Sequence, residues 1–207
     1  MYQGIATKVM TGEVRLSYVH LVEPYANPNQ PGAEPKYSVT LLIPKTDTAT
    51  VADIKASMQA AYELGVQDKW KGARPTLVNA LLYDGDGTKR DGSPFGPECA
   101  GCWVLSARTN TKPQVVHVSN PAAQLAPTDI YSGMYGRVSI NFYPYSGQSR
   151  GVAAGLSNVF KTRDGEPLSG GASAASEFAD IAAEYAQMAT GAPATAPAIN
   201  PITGLPM

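Results

Sequence analysis

The stretch from Gly133 to Tyr145 constrains this chain more than any other part of it. Val138, Ile140 and Phe142 alternate there with Tyr135, Arg137, Ser139, Asn141 and Tyr143. A period of two puts the apolar set on one face of a β-strand and the polar and aromatic set on the other. One face is therefore core, and the other offers flat rings beside a guanidinium and an amide.

Further strands are expected at intervals around it. Glu13 to Leu21 alternates Val14, Leu16 and Tyr18 against Arg15 and Ser17, and Tyr37 to Ile43 is an apolar, β-branched run stopped by Pro44. Cys102 to Asn110, a short Gln114 to Ser119, and Gly151 to Thr162 complete the set, the last ending at the turn signal Arg163-Asp-Gly165. Pro24 to Pro35 and Tyr83 to Gly92 read as long polar loops. One helix is expected in the body. Asp47 or Thr48 can cap it, Val51, Ile54, Met58 and Ala61 recur at helical spacing, and Gly65 offers a stop.

A doubly wound sheet would need a helix between most strand pairs, so this order fits a small antiparallel barrel. The expected fold is mainly β: a five-stranded, OB-fold-like antiparallel β-barrel with long loop insertions. With 43% hydrophobic residues in 207, the chain can bury one full core. The composition turns to Gly, Ala and Ser at Ser169, then a short helical segment runs from Glu177 to Met188 and an Ala/Pro tail follows. The expected division is a domain at 1–171 and a disordered, Gly/Ala/Ser/Pro-rich C-terminal tail with a short helix at 172–207.

Net charge is −1, too low for a binder that works by bulk neutralisation of phosphates. The charge is uneven, however. Residues 1–171 hold all 16 Lys and Arg against 14 acids, a net +2, and 172–207 hold Glu177, Asp180 and Glu184 with no base, a net −3. No apolar run reaches the roughly 18 residues of a membrane span, and the N-terminus lacks a basic region followed by an apolar one. A cytoplasmic location is expected.

The residues that could do chemistry favour structure instead. Cys99 and Cys102 form one C-x-x-C, but His20 and His117 stand alone and no four-ligand zinc set exists in the sequence; the motif also runs into a strand where a redox pair would open a helix. These are expected to be reduced structural thiols. The Asp84-Gly-Asp-Gly87 segment lacks the ligand spacing of a calcium loop and reads as a turn. With no nucleophile–base pair, phosphate loop or metal cluster, neither an enzyme nor a cofactor is expected.

The outer face of the strand at Gly133–Tyr145 suits unstacked bases, which stack on aromatic rings without regard to sequence. Tyr135, Arg137, Asn141 and Tyr143 are the candidate contacts there. Lys69, Trp70, Lys71 and Arg74 interleave base and aromatic after the helix, Arg150 opens the last strand, and Lys89, Arg90 and Lys112 lie on loops. The same tyrosines would also suit a second layer of core or a homo-oligomer interface, and Trp70 would suit packing of the helix end.

The segments Tyr37–Lys45, Tyr83–Gly87, Tyr131–Arg137, Phe142–Tyr145 and Gly151–Val159, closing with Asp164-Gly-Glu166, resemble the OB-fold single-stranded-DNA-binding proteins of tailed phages and prophages. The likeness runs from about residue 5 to 171. It implies a sequence-tolerant protein that coats and protects exposed single strands in phage replication or recombination, with replication or recombination proteins as further partners. The neutral tail end departs from the dense acidic tail common among such proteins. The rival reading is a phage structural or assembly protein that uses the barrel for protein contacts.

Overall fold

The computed structural model describes residues 2–26, 32–76, 80–147 and 149–168, together with Ile181 and Tyr185. The chain divides into two units, Met1–Ser169 and Gly170–Met207. The architecture below belongs to the first. The expected tail helix lies outside the described residues except for Ile181 and Tyr185, both helical and exposed.

In chain order the elements are β1 (Lys8–Met10), β2 (Val14–Tyr25), β3 (Lys36–Pro44), α1 (Thr48–Leu64), β4 (Leu82–Asp84), β5 (Cys102–Thr109), β6 (Val115–His117), β7 (Asn120–Gln124), β8 (Tyr135–Ser146) and β9 (Arg150–Arg163). β2 pairs antiparallel with both β3 and β8, β3 with β5, and β8 with β9. β5 meets β9 in parallel where Arg108 faces Gly155. These pairings close the ring β2-β3-β5-β9-β8, the five-stranded barrel of an OB-fold. β1 flanks β8, β4 flanks β5, and the β6–β7 hairpin extends β9.

The interior follows the alternation. Val138, Ile140 and Phe142 of β8 are buried against Leu16, Val39, Leu41, Leu105, Leu156 and Val159. Along β9 the inward set changes parity, from Val152, Ala154 and Leu156 to Val159 and Lys161. A register shift between Val138 and Ile140 inserts one extra β9 residue opposite Ser139, and each such bulge swaps the faces of everything beyond it.

α1 closes one end of the core with Val51, Ile54 and Ala61 buried. Its N-terminus is capped by Asp47, whose carboxylate accepts from Thr50 N–H at 3.0 Å, satisfying one of the orphan donors there. The α-helix ends at Leu64 with Gly65 as its C-cap, as the sequence suggests, but the coil does not end there. The coil widens into a π-turn over Gly65–Lys69, and glycine is needed because the Trp70 ring lies against it: a Cβ there would stand 2.6 Å from the indole.

Other expectations also shift. β2 continues through Pro24 and Tyr25, which read as loop, while β1, β4 and β7 were not apparent as strands. Tyr18, expected to alternate inward with Val14 and Leu16, stands 65% exposed because β2 is bulged between Ser17 and His20. Cys99 is buried and Cys102 half-buried, both free thiols, and burial pushes the Cys99 thiol up to about 11. They lie in a small outer cluster with Leu42, Val104, Tyr83 and Phe95 that anchors the 84–102 loop to the barrel. Asp84 and Asp86 both pair with Lys45, and Asp86 accepts from Gly101 N–H at 2.9 Å, so that segment is a loop clamp.

Candidate nucleic-acid interface

The register places one face of four neighbouring strands outward together. Lys36, Ser38 and Thr40 of β3 face Arg108 and Ser106 of β5, and β5 leads to Ala153 and Gly155 of β9 and then Tyr143 and Tyr145 of β8. Over this face lies a groove of about 610 Å³, walled on its far side by Tyr83, Phe95, Lys89 and Arg90. Little side-chain bulk stands on its floor, because β9 presents glycine and alanine there. Gly151 pairs with Tyr145, and a Cβ there would stand 2.5 Å from the tyrosine hydroxyl; a Cβ on Gly155 would stand 3.2 Å from the Tyr143 ring. Each glycine thus vacates the space in which a neighbouring tyrosine lies.

The groove's charge is one-signed. Lys36, Lys89, Arg90 and Arg108 line it and are exposed, and no Asp or Glu is among the described residues lining it. Tyr143 is 43% exposed, and Tyr83, Phe95 and Tyr145 are half-buried. Rings held at their base and open on one side, spaced among cations, can stack bases and neutralise the backbone between them.

Of the residues singled out from sequence, Tyr143, Lys89 and Arg90 line this groove, and Arg150 opens β9 at the β8–β9 turn, exposed. Asn141 is half-buried beyond Tyr143, its side-chain oxygen accepting from the Thr7 hydroxyl at 2.9 Å. Arg137 is exposed, but its Nε–H donates to the Thr11 carbonyl at 2.8 Å. Tyr135 lies outside the groove in a separate recess with Glu13, Arg15, Glu98 and Arg163, its ring covered by the Arg163 guanidinium 3.5 Å from its centroid.

The second cluster separates as well. Trp70 is 1% exposed and cannot meet a base; its indole N–H donates to the Tyr145 carbonyl at 3.0 Å, and its ring packs edge-on against Tyr62. That anchor ties the exposed Lys69–Lys71 turn to the end of β8. Arg74 forms a two-pronged pair with Glu63 at 2.9 and 3.0 Å, and the guanidinium beside Glu63 holds that carboxyl below its ordinary range.

Sequence reading missed Lys36, Arg108, Tyr83, Phe95 and Tyr145 as a set, because they come together only through long-range pairing. The available signal was the spacing of Gly151 and Ala153 against Tyr145 and Tyr143, small residues opposite large ones across a hairpin. Among the described residues no three His, Cys, Asp or Glu side chains gather as a metal site, and no helix is long and apolar enough to cross a membrane.

Two motifs that carry the family likeness meet away from the groove. The Tyr131 hydroxyl lies 2.9 Å from Asp164 and accepts from Gly165 N–H at 3.0 Å. The buried Lys161 ammonium binds the Asp129 carbonyl and Asp164 at 2.9 and 2.7 Å. Hydrogen bonding from Lys161, then from Tyr131, holds the Asp164 carboxyl below its ordinary range.

Comparison with known proteins agrees with the barrel and its motifs. The single-stranded DNA-binding protein from bacteriophage Enc34 in complex with ssDNA matches with a TM-score of 0.67 at 30% identity, covering 79% of this chain and 90% of that one. A single-stranded DNA-binding protein encoded by bacteriophage T7 shares the fold at a TM-score of 0.52 and 15% identity, covering 84% of this chain and 93% of that one. A putative protein, p50, of Acyrthosiphon pisum secondary endosymbiont phage 1 is 31% identical over 184 residues, 84% of this chain and 94% of that one. The family model described as Enterobacter phage Enc34, ssDNA-binding protein matches residues 7–188, and the chain belongs to that family.

Proposed function

We propose that this protein is a sequence-tolerant single-stranded-DNA-binding protein that coats exposed strands during phage DNA replication or recombination. The observation that carries the reading is the groove of about 610 Å³, in which Tyr83, Phe95, Tyr143 and Tyr145 are interleaved with Lys36, Lys89, Arg90 and Arg108 and whose described lining residues include no acid. Bases stack on the rings, and the cations contact phosphates. Arg150, Lys69 and Lys71 supply further phosphate contacts where the strand leaves the groove near the end of β8.

Stacking requires bases released from their partners, so single strands are preferred over duplex. The protein acts by occupancy and does no bond chemistry, in the host cytoplasm. Residues 1–171 carry the binding domain, and 172–207 form an appendage dispensable for DNA affinity. A salt titration of binding to fluorescent oligothymidine tests the reading. It predicts tight binding whose log affinity falls linearly with log salt. Salt-independent or absent binding would favour a barrel used for protein contacts.

A further inference from the structure

Beyond the groove, β2 holds three exposed or half-exposed aromatic side chains whose local geometry the barrel does not require. The His20 and Tyr25 rings stack at 4.4 Å between centroids and 16° between planes, and Tyr25 is 47% exposed. Burial lowers the pKa of His20, which favours the uncharged ring. Tyr18 occupies the extra position of the β2 bulge with φ of 47°, in the left-handed region, and its ring is 65% exposed. At such a bulge glycine is the residue that carries no steric cost, and a bulky side chain there is an outlier. Holding a tyrosine in that conformation, with its ring in solvent, contributes nothing to the core. Strain retained at an exposed position points to function.

The sheet register connects this group to the groove. His20 pairs with Ser38, Ser38 with Arg108, Arg108 with Gly155, and Gly155 with Asn141. One rank of residues thus crosses five strands from the β2 aromatics to the neighbour of Tyr143. Tyr25 pairs with Lys36, which lines the groove together with Arg108. The two cations therefore stand between two aromatic sets. Adjacent strands are about 4.8 Å apart, so the sets lie on the order of 19 Å from one another along the sheet.

We propose that Tyr18, His20 and Tyr25 form a second base-stacking platform, on which single-stranded DNA leaving the groove past Arg108 and Lys36 lays its next bases. The inference rests on the groove being the primary single-strand site. It makes the strand path longer than the groove and adds contacts that only a longer oligonucleotide can reach.

The test compares oligothymidines of about 4 and about 15 nucleotides, spanning the known range of OB-fold site sizes, on the full chain and three variants. Tyr25→Ala and Tyr18→Gly should each weaken the longer oligonucleotide by about 5- to 100-fold, the loss of one stacked base, and leave the shorter one within about twofold. Tyr143→Ala should weaken both. Tyr18→Gly should also melt at or near the wild-type temperature, since glycine suits the left-handed bulge. If Tyr25→Ala and Tyr18→Gly bind both lengths as wild type does while Tyr143→Ala weakens both, the platform is overturned and the groove stands. Equal losses on the two lengths would also overturn a separate platform. If Tyr143→Ala binds both lengths normally, the groove reading itself fails and the platform with it.

Discussion

At the C-terminal end of β8, Tyr143 and Tyr145 lie beside glycines of β9 and share a groove with Lys36 and Arg108. At its N-terminal end, Tyr135 lies beneath Arg163, which Glu13 holds at 3.0 Å, and Glu98 lines the same recess. Both ends combine tyrosine with guanidinium, and a sequence pattern treats them alike. They differ in what surrounds the cations. Carboxylates already engage the charge at the Tyr135 end, so a phosphate arriving there meets repulsion as well as attraction. Beside Lys36 and Arg108 in the groove, no carboxylate is among the described lining residues. An aromatic–cation pair is therefore a candidate nucleic-acid contact only when nearby acids leave the cation available.

The largest effect expected along β8 is on its inner face. Phe142 is 1% exposed in the barrel core, and Phe142→Ala should cost about 3–5 kcal/mol of stability in a thermal or denaturant melt. Next come the two tyrosine ends. Tyr143→Ala should weaken oligothymidine binding by about 1–3 kcal/mol with little change in melting temperature, whereas Tyr135→Ala should leave affinity near wild type. Equal losses of affinity from the two would erase the distinction between the ends.

The cations at the two ends should also differ. Arg108→Ala should flatten the slope of log affinity against log salt by about one phosphate's worth, and Arg163→Ala should leave the slope unchanged. The smallest effect belongs to Glu13. Hydrogen bonds from Thr162 and then Arg163 lower its carboxyl from the ordinary range, so its contribution to stability is present above the unfolded glutamate pKa of about 4.3 and is lost as pH falls through the lower, folded value. The melting difference between wild type and Glu13→Gln should therefore shrink as pH is lowered through that window, with DNA affinity at neutral pH unaffected.

How much of this was legible from residues alone follows from the range of the interactions. The faces of β8 were, because burial of Val138, Ile140 and Phe142 needs only local alternation. The α1 periodicity and its Asp47 cap were, for the same reason. Trp70 was not, because Lys69-Trp-Lys71 reads as a nucleic-acid pattern until the π-turn and Gly65 carry the indole into the core. The outward turn of Tyr18 and the parity change in β9 were hidden, since a bulge depends on the partner strand. The groove was legible only in part. Tyr143 was readable, but Lys36 and Arg108 join it through pairings between strands far apart in sequence.

The groove predicts that single-stranded DNA lies against the Tyr143 end of β8 and not the Tyr135 end. Ultraviolet crosslinking of oligothymidine to the full chain, followed by tryptic peptide mapping, tests it directly, because cleavage after Arg137 separates Tyr135 from the peptide that carries Tyr143 and Tyr145. Crosslinks are expected on the Val138–Arg150 peptide and on those carrying Tyr83 or Phe95. Crosslinks confined to the peptide ending at Arg137, or to the peptides around Trp70, would contradict it.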